Sequence, residues 1–236
     1  LINKFSSKKL YITAMSTFLI GTIICFVAQD FGMLLTGRLV QAAGVGVSMP
    51  LLQTIMLSIF PPEKRGAAMG TTGIVIGLAP ALGPTLSGWI IDSYTWRDLF
   101  GMVIPIVVLV LILASFLMKN VIQLSNPSID VLSVILSTLG FGSLLYGFSS
   151  VGNKGWGSPQ VYGFLIVGAI VLCLFTYRQL HLEQPFLELR VFKSKVFTVA
   201  AILSGVTNMA MIGAEMVLPL YIQNIRGESA FHSGLM

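Results

Sequence analysis

Seven long apolar stretches, parted by short polar breaks, make up most of this chain. They run approximately from Leu10 to Ala28, Gly32 to Phe60, Gly66 to Ile91, Leu99 to Met118, Ile129 to Ser150, Val161 to Tyr177, and Val196 to Ile222. Several exceed the roughly 20 residues that carry an α-helix across a ~30 Å hydrocarbon core. The pattern predicts an all-α, polytopic helical membrane protein with about seven transmembrane helices. The fifth stretch is the weakest, because Ser133, Ser137, Gly140, Gly142 and Gly147 dilute it. A re-entrant segment is the alternative there. Connections such as Gln29 to Phe31 and Pro61 to Arg65 are so short that neighbouring spans must form antiparallel hairpins.

The third stretch has a pattern of its own. Gly66, Gly70, Gly73, Gly77, Ala81, Pro84 and Gly88 advance by steps of three and four, so they line one helix face. Such a stripe lets another helix backbone approach closely, which is how helices associate in lipid. Pro80 and Pro84 interrupt the backbone ladder, and neighbouring helices can re-satisfy the freed groups.

Composition agrees with membrane residence. The chain is 55% hydrophobic and only 10% charged, with a mean hydropathy of +0.89; soluble domains carry about 25% charged residues. Cys25 and Cys173 sit in apolar stretches without a metal-ligand spacing, and read as small buried hydrophobes. No nucleophile elbow, phosphate-binding loop or zinc-binding His pair is present. An enzyme is therefore not expected, nor a cofactor or metal, nor ATP as an energy source. Leu1 is not a start methionine, and Met236 falls where a further span begins, so an internal piece of a longer protein is expected.

Basic residues set an expected orientation. Lys4, Lys8, Lys9, Lys64, Arg65, Lys119, Arg178, Arg190, Lys193 and Lys195 fall on one side, which is ten of the 14 Lys and Arg. The other side holds Arg97, Lys154 and Arg226. The N-terminal end is then cytoplasmic and the end of the last span extracellular. This placement of the positive charge in short loops also argues against nucleic acid as its partner. The loop from Arg178 to Lys195 reads as a linker or a surface-lying amphipathic segment; Pro185 favours the linker.

Few charges fall within the spans. Arg38 lies about two turns into the second, with Gln41, Val45 and Ser48 on its face. It either snorkels to the outer interface or faces a cavity near a substrate or proton path. In the seventh span, Ser204, Asn208, Met211, Glu215 and Pro219 form a polar stripe with one carboxyl group. A carboxyl group shielded from water holds its proton more tightly, which suits proton exchange; the alternative is a Glu215 solvated at the outer headgroups. Asp30, Asp92, Asp98 and Asp130 cluster at span ends and read as helix-end residues.

Several of these segments resemble the major facilitator superfamily, in particular its fourteen-helix drug:proton antiporter branch, which includes lincomycin-resistance-type exporters. Gly73-Ile-Val-Ile-Gly77-Leu-Ala-Pro80-Ala-Leu-Gly83-Pro84-Thr-Leu-Ser-Gly88 resembles the antiporter signature of the fifth helix. Leu34-Leu-Thr-Gly-Arg38-Leu-Val-Gln41-Ala-Ala-Gly44 resembles the fourth-helix motif with its membrane arginine. Trp96-Arg97-Asp98-Leu-Phe100 and Leu218-Pro219-Leu-Tyr221-Ile-Gln223 are similar to segments after the fifth helix and late in the ninth. The chain departs from the family at Asn3-Lys-Phe-Ser-Ser-Lys8-Lys9, which lacks the usual acid, and at Ala42, where many relatives have Gly.

The resemblance implies a transporter fragment. Residues 1–118 would belong to the N-terminal lobe as family helices three to six. Residues 119–195 would be two linker spans and a cytoplasmic loop, and 196–236 the start of the C-terminal lobe. Arg38 would assist proton transfer with Gln41 beside it in the cavity wall, while Gly73, Gly77, Pro80, Gly83, Pro84 and Gly88 would form the helix interface that closes the inward path. Asn208 and Glu215 are added by the stripe argument, not by the family motif. The expected activity is proton-coupled efflux of amphipathic drugs from a cell membrane, with protons, a small amphipathic substrate and the lipid bilayer as partners. An exporter of a narrow natural substrate, or a receptor or scaffold that transports nothing, are the alternatives.

Overall fold

In the computed structural model, residues 5–120, 130–183, 185 and 187–234 are described, apart from the side chain of Ala81. Asn3, Lys4 and Ile129, used above, lie outside them. Seven long helices match the seven apolar stretches: α1 (Ser7–Phe26), α2 (Phe31–Ile59), α3 (Pro62–Ser93), α4 (Asp98–Leu117), α5 (Val131–Lys154), α6 (Pro159–His181) and α7 (Lys195–Asn224). A 3-10 turn, Leu189–Lys193, precedes α7, and a short helix α8 (Ala230–Gly234) follows it. All seven long helices have the length and apolarity to cross a membrane. The chain is a multi-pass membrane protein.

Local chemistry sets the helix ends. Asp30 Oδ1 accepts from Met33 N at 2.8 Å to cap α2, and Asp98 Oδ2 accepts from Thr95 N at 2.9 Å in the turn before α4. Pro62 and Pro159 stand in the first turns of α3 and α6, where a missing N–H leaves nothing unsatisfied. Helix α5 is unbroken through its glycines, so the re-entrant alternative does not hold. Helix α3 continues through Pro80 and Pro84, and α7 through Pro219.

The chain divides into two compact units, Leu1–Pro127 with Ala210–Met236, and Ser128–Met209; the division falls inside α7. In the first unit α1 packs against α2 and α4, and α3 against α8. Helix α1 runs antiparallel to α4: at one end Lys8 Nζ donates to Ser115 O at 2.6 Å, and at the other Arg97 Nε donates to Ala28 O at 2.9 Å. Both cations sit at carbonyl-rich helix C-termini, the end of the macrodipole that favours positive charge. In the second unit α5 packs along α6, and the 3-10 turn rests on α6.

Both hairpins are built on one rule that the span pattern had not revealed. Buried positions recur seven residues apart: Ser7, Ala14, Gly21 and Ala28 on α1 and its end, Gly37, Gly44 and Leu51 on α2. The second hairpin repeats it with Ser133, Gly140 and Gly147 facing Val161, Gly168 and Phe175. A seven-residue period keeps one seam turned toward the partner along a left-handed crossing. Small residues let the backbones close up. A Cβ at Gly21 would stand 2.5 Å from Gln41 N, and one at Gly44 would stand 2.5 Å from Ala14 O.

Outside these seams most side chains face outward. Cys25 is fully buried as expected, but Cys173 is exposed, which corrects the reading of both as buried. Cys173 lies on α6 away from the seam with α5.

Gly44→Ala would drive its Cβ into the backbone of α1, which cannot swing aside as a side-chain tip can. We expect a loss of about 1–3 kcal/mol, measured as a lower melting temperature of the purified protein. Gly163→Ala, whose Cβ would meet nothing within 4 Å, should leave it unchanged or raise it.

Candidate functional site

The first candidate group is a polar bridge inside the α1–α2 seam. Gln41 is 6% exposed and Thr22 fully buried. Arg38 Nη1 donates to Gln41 Oε1 at 3.2 Å, Gln41 Nε2 donates to Thr22 Oγ1 at 2.8 Å, and Thr22 Oγ1 donates to Phe18 O at 2.8 Å. The Cys25 thiol lies 3.9 Å from Gln41 Oε1. Each link satisfies a group that, left unpaired in an apolar seam, would cost about 1–3 kcal/mol. An amide does not carry protons, so the bridge orients the Arg38 guanidinium and cannot itself conduct. Thr22 and Cys25 were missed as its partners because they lie on a different helix.

The second is a cleft of about 430 Å³. Helix α3 supplies Gly77, Pro80, Pro84 and Thr85, α7 supplies Met211, Ala214, Glu215, Leu218 and Pro219, and α8 supplies Ser233 and Gly234. Glu215 is the one ionisable side chain among these. Here the structure brings together two sets of residues singled out separately, the Gly-Pro stripe and the carboxyl group of α7.

The stripe is filled only toward its C-terminal end. A Cβ at Gly88 would collide with the backbone of Ala230 and Phe231, and Thr85 Oγ1 donates to Gly234 O. Asp92 Oδ2 accepts from Phe231 N at 3.0 Å, so α8 is held at both of its ends. Nearer the helix start, a Cβ at Gly73, Gly77 or Gly83 would meet nothing within 4 Å among the described residues.

The remaining predicted residues do not join the cleft. The Asn208 side chain donates to Ser204 O at 2.8 Å, a bond within its own helix. No hydrogen bond or ion pair joins Arg38 to Glu215 among the described residues.

A third cluster closes one end of the α5–α6 hairpin. Asp130 takes both Arg178 Nε and Nη2, each at 3.0 Å, and accepts from Ser133 Oγ at 2.5 Å. These donors hold the Asp130 carboxyl well below the usual carboxylate range, the Arg178 hydrogen bonds most of all. Asp130 is accordingly a fixed anion and not a proton carrier near neutrality.

A profile of the Major Facilitator Superfamily matches residues 1–236. The chain belongs to the Major Facilitator Superfamily. Among curated superfamily relatives, it is 55% identical over its whole length to the uncharacterized MFS-type transporter YcnB of Bacillus subtilis, covering 50% of that protein. It is 44% identical over 223 residues to the lincomycin resistance protein LmrB of Listeria monocytogenes, covering 94% of this chain and 47% of that one. It is 30% identical over 237 residues to multidrug resistance protein 3 of Bacillus subtilis, covering 100% of this chain and 46% of that one. The chain thus spans about half the length of the superfamily relatives it matches.

The low Asp130 pKa has a definite sign. A carboxyl group depressed on folding stabilises the fold above its unfolded value of about 4, and that contribution is lost as pH falls through the folded value. Asp130→Asn should therefore lower the melting temperature throughout the neutral range, with the difference from wild type shrinking only in strongly acid solution. A pH series of thermal melts measures this.

Proposed function

We propose that the full-length protein is a proton-coupled exporter of amphipathic drug-like molecules across a cell membrane, working by alternating access. Membership of a transporter superfamily favours transport over catalysis. Relatives named for lincomycin and multidrug resistance favour drugs as cargo. The observation that carries the reading is Glu215, the one ionisable side chain among the described residues of a cleft lined by Gly77, Pro80 and Pro84 of the antiporter-like stripe.

In this scheme Glu215 takes up a proton from outside, which neutralises it and weakens its hold on a cationic substrate. Toward the inside, substrate binding favours release of that proton. Arg38, oriented by Gln41, keeps a fixed positive charge near the proton route, and charge in such a position within a span commonly marks an ion or substrate path. The bare part of the stripe, Gly73 to Gly83, would receive the helix backbone that seals the inward path. Residues 1–118 would serve as part of the N-terminal lobe, 119–195 as two linker spans with their loop, and 196–236 as the start of the C-terminal lobe. The N-terminal end would face the cytoplasm and the end of α7 the outside.

The test is drug-driven proton movement in everted vesicles holding the full-length protein. Wild type should release a preformed proton gradient on drug addition, and Glu215→Gln and Arg38→Ala at equal expression should abolish the response. Wild-type response with both variants unaffected would remove these residues from the coupling route. Absence of any response across a broad drug panel would turn the reading toward a narrow natural substrate or a protein that transports nothing.

A further inference from the structure

The third cluster extends beyond the α5–α6 hairpin. Gln179, fully buried, uses both ends of its amide: Nε2 donates to Ser133 Oγ at 2.5 Å, and Oε1 accepts from Leu187 N at 3.0 Å. The connection leaving α6 is thereby tied back to the hairpin at its middle. Arg190 ties it a second time, its Nη2 donating to Leu180 O at 3.1 Å and to Leu182 O at 2.8 Å. Those carbonyls end α6, so the guanidinium also occupies the favoured end of the helix dipole. Glu188 in turn accepts from Arg190 N at 3.2 Å and lies 3.7 Å from its guanidinium.

The far end of the connection is joined to α7 just as closely. Thr198 Oγ1 donates to Phe192 O at 2.7 Å, and the Phe192 and Phe197 rings meet edge to face at 5.2 Å. Every one of these contacts lies within Ser128–Met209. A polar connection free of such ties would behave as a flexible linker between two independent bodies. This one is pinned at its start, middle and end.

We propose that the α6–α7 connection is a strut, with Gln179 and Arg190 as positioning residues, and that the α5–α6 hairpin and the first half of α7 move as one rigid body. Asp130 and Arg178 support it from below: they hold Ser133, which holds Gln179. The proposal does not depend on which substrate is carried.

Spin labels on cysteines placed at the exposed positions Leu174 of α6 and Ile202 of α7 report the distance directly. The host is the full-length protein in lipid nanodiscs with all of its native cysteines replaced, Cys25→Ala and Cys173→Ser among them. A single narrow distance is expected. Arg190→Gln and Gln179→Ala should each broaden the distribution about twofold, as a local tie opens. Gln41→Ala, which removes the matching buried amide from the α1–α2 hairpin, should leave it narrow. A broad distribution before any strut substitution would overturn the proposal, as would an unchanged width in Arg190→Gln or equal broadening by Gln41→Ala. Arg190 is partly exposed in the connection itself, so that variant carries the test even if Gln179→Ala fails to fold.

Discussion

Backbone-to-backbone approach between antiparallel helices is the constraint on which the rest of this protein depends. Lipid tails are as apolar as Leu, so helices gain nothing by hiding apolar side chains from their surroundings. What remains is van der Waals packing and the few polar bonds that packing permits. The α1–α2 and α5–α6 seams meet this need in the same way, with buried and mostly small residues every seventh position and one buried glutamine reaching across. Gln41 reaches Thr22, and Gln179 reaches Ser133. Neither bond would form if the seams were lined with Leu, because the short hydroxyl side chains could not be met from a wider spacing.

That close approach also decides which polar groups are committed to structure. Asp30 and Asp130 cap helices, Asp98 closes a turn, and Asp92 receives the start of α8. Arg97 and Lys8 are taken up by helix carbonyls. Set against this background, Glu215 differs in kind: it stands in a cleft beside glycine and proline, and none of the structural bonds described above uses it.

The Gly-Pro stripe of α3 shows how far a motif can be read in isolation. Its last turn, from Pro84 to Gly88, is covered by the backbone of α8, while a Cβ at Gly73, Gly77 or Gly83 would meet nothing within 4 Å among the described residues. The same sequence feature thus does two things along one helix. One end is a packing surface already occupied, and the middle, from Gly77 to Thr85, supplies the α3 wall of the cleft that holds Glu215.

The seven spans and their order were legible from hydropathy alone, because the energetic demand of crossing hydrocarbon is local and leaves a contiguous apolar run in each helix. The helix-end bonds of Asp30, Asp98 and Asp130 were legible for the same reason: each joins residues only a few positions away, whereas Asp92 bonds Phe231 N far along the chain. Partners across helices were not. Nothing in the Gly and Ser content of α5 distinguished a weak span from a tight seam, and nothing local to Gln41 named Thr22. Cys25 and Cys173 lie in equally apolar sequence, yet one is buried and the other exposed. The sequence by itself determined how many helices form and where they start and stop; only the tertiary structure decided which faces meet, because helix pairing in lipid turns on the shape of two surfaces together and neither strand of sequence contains the other's shape.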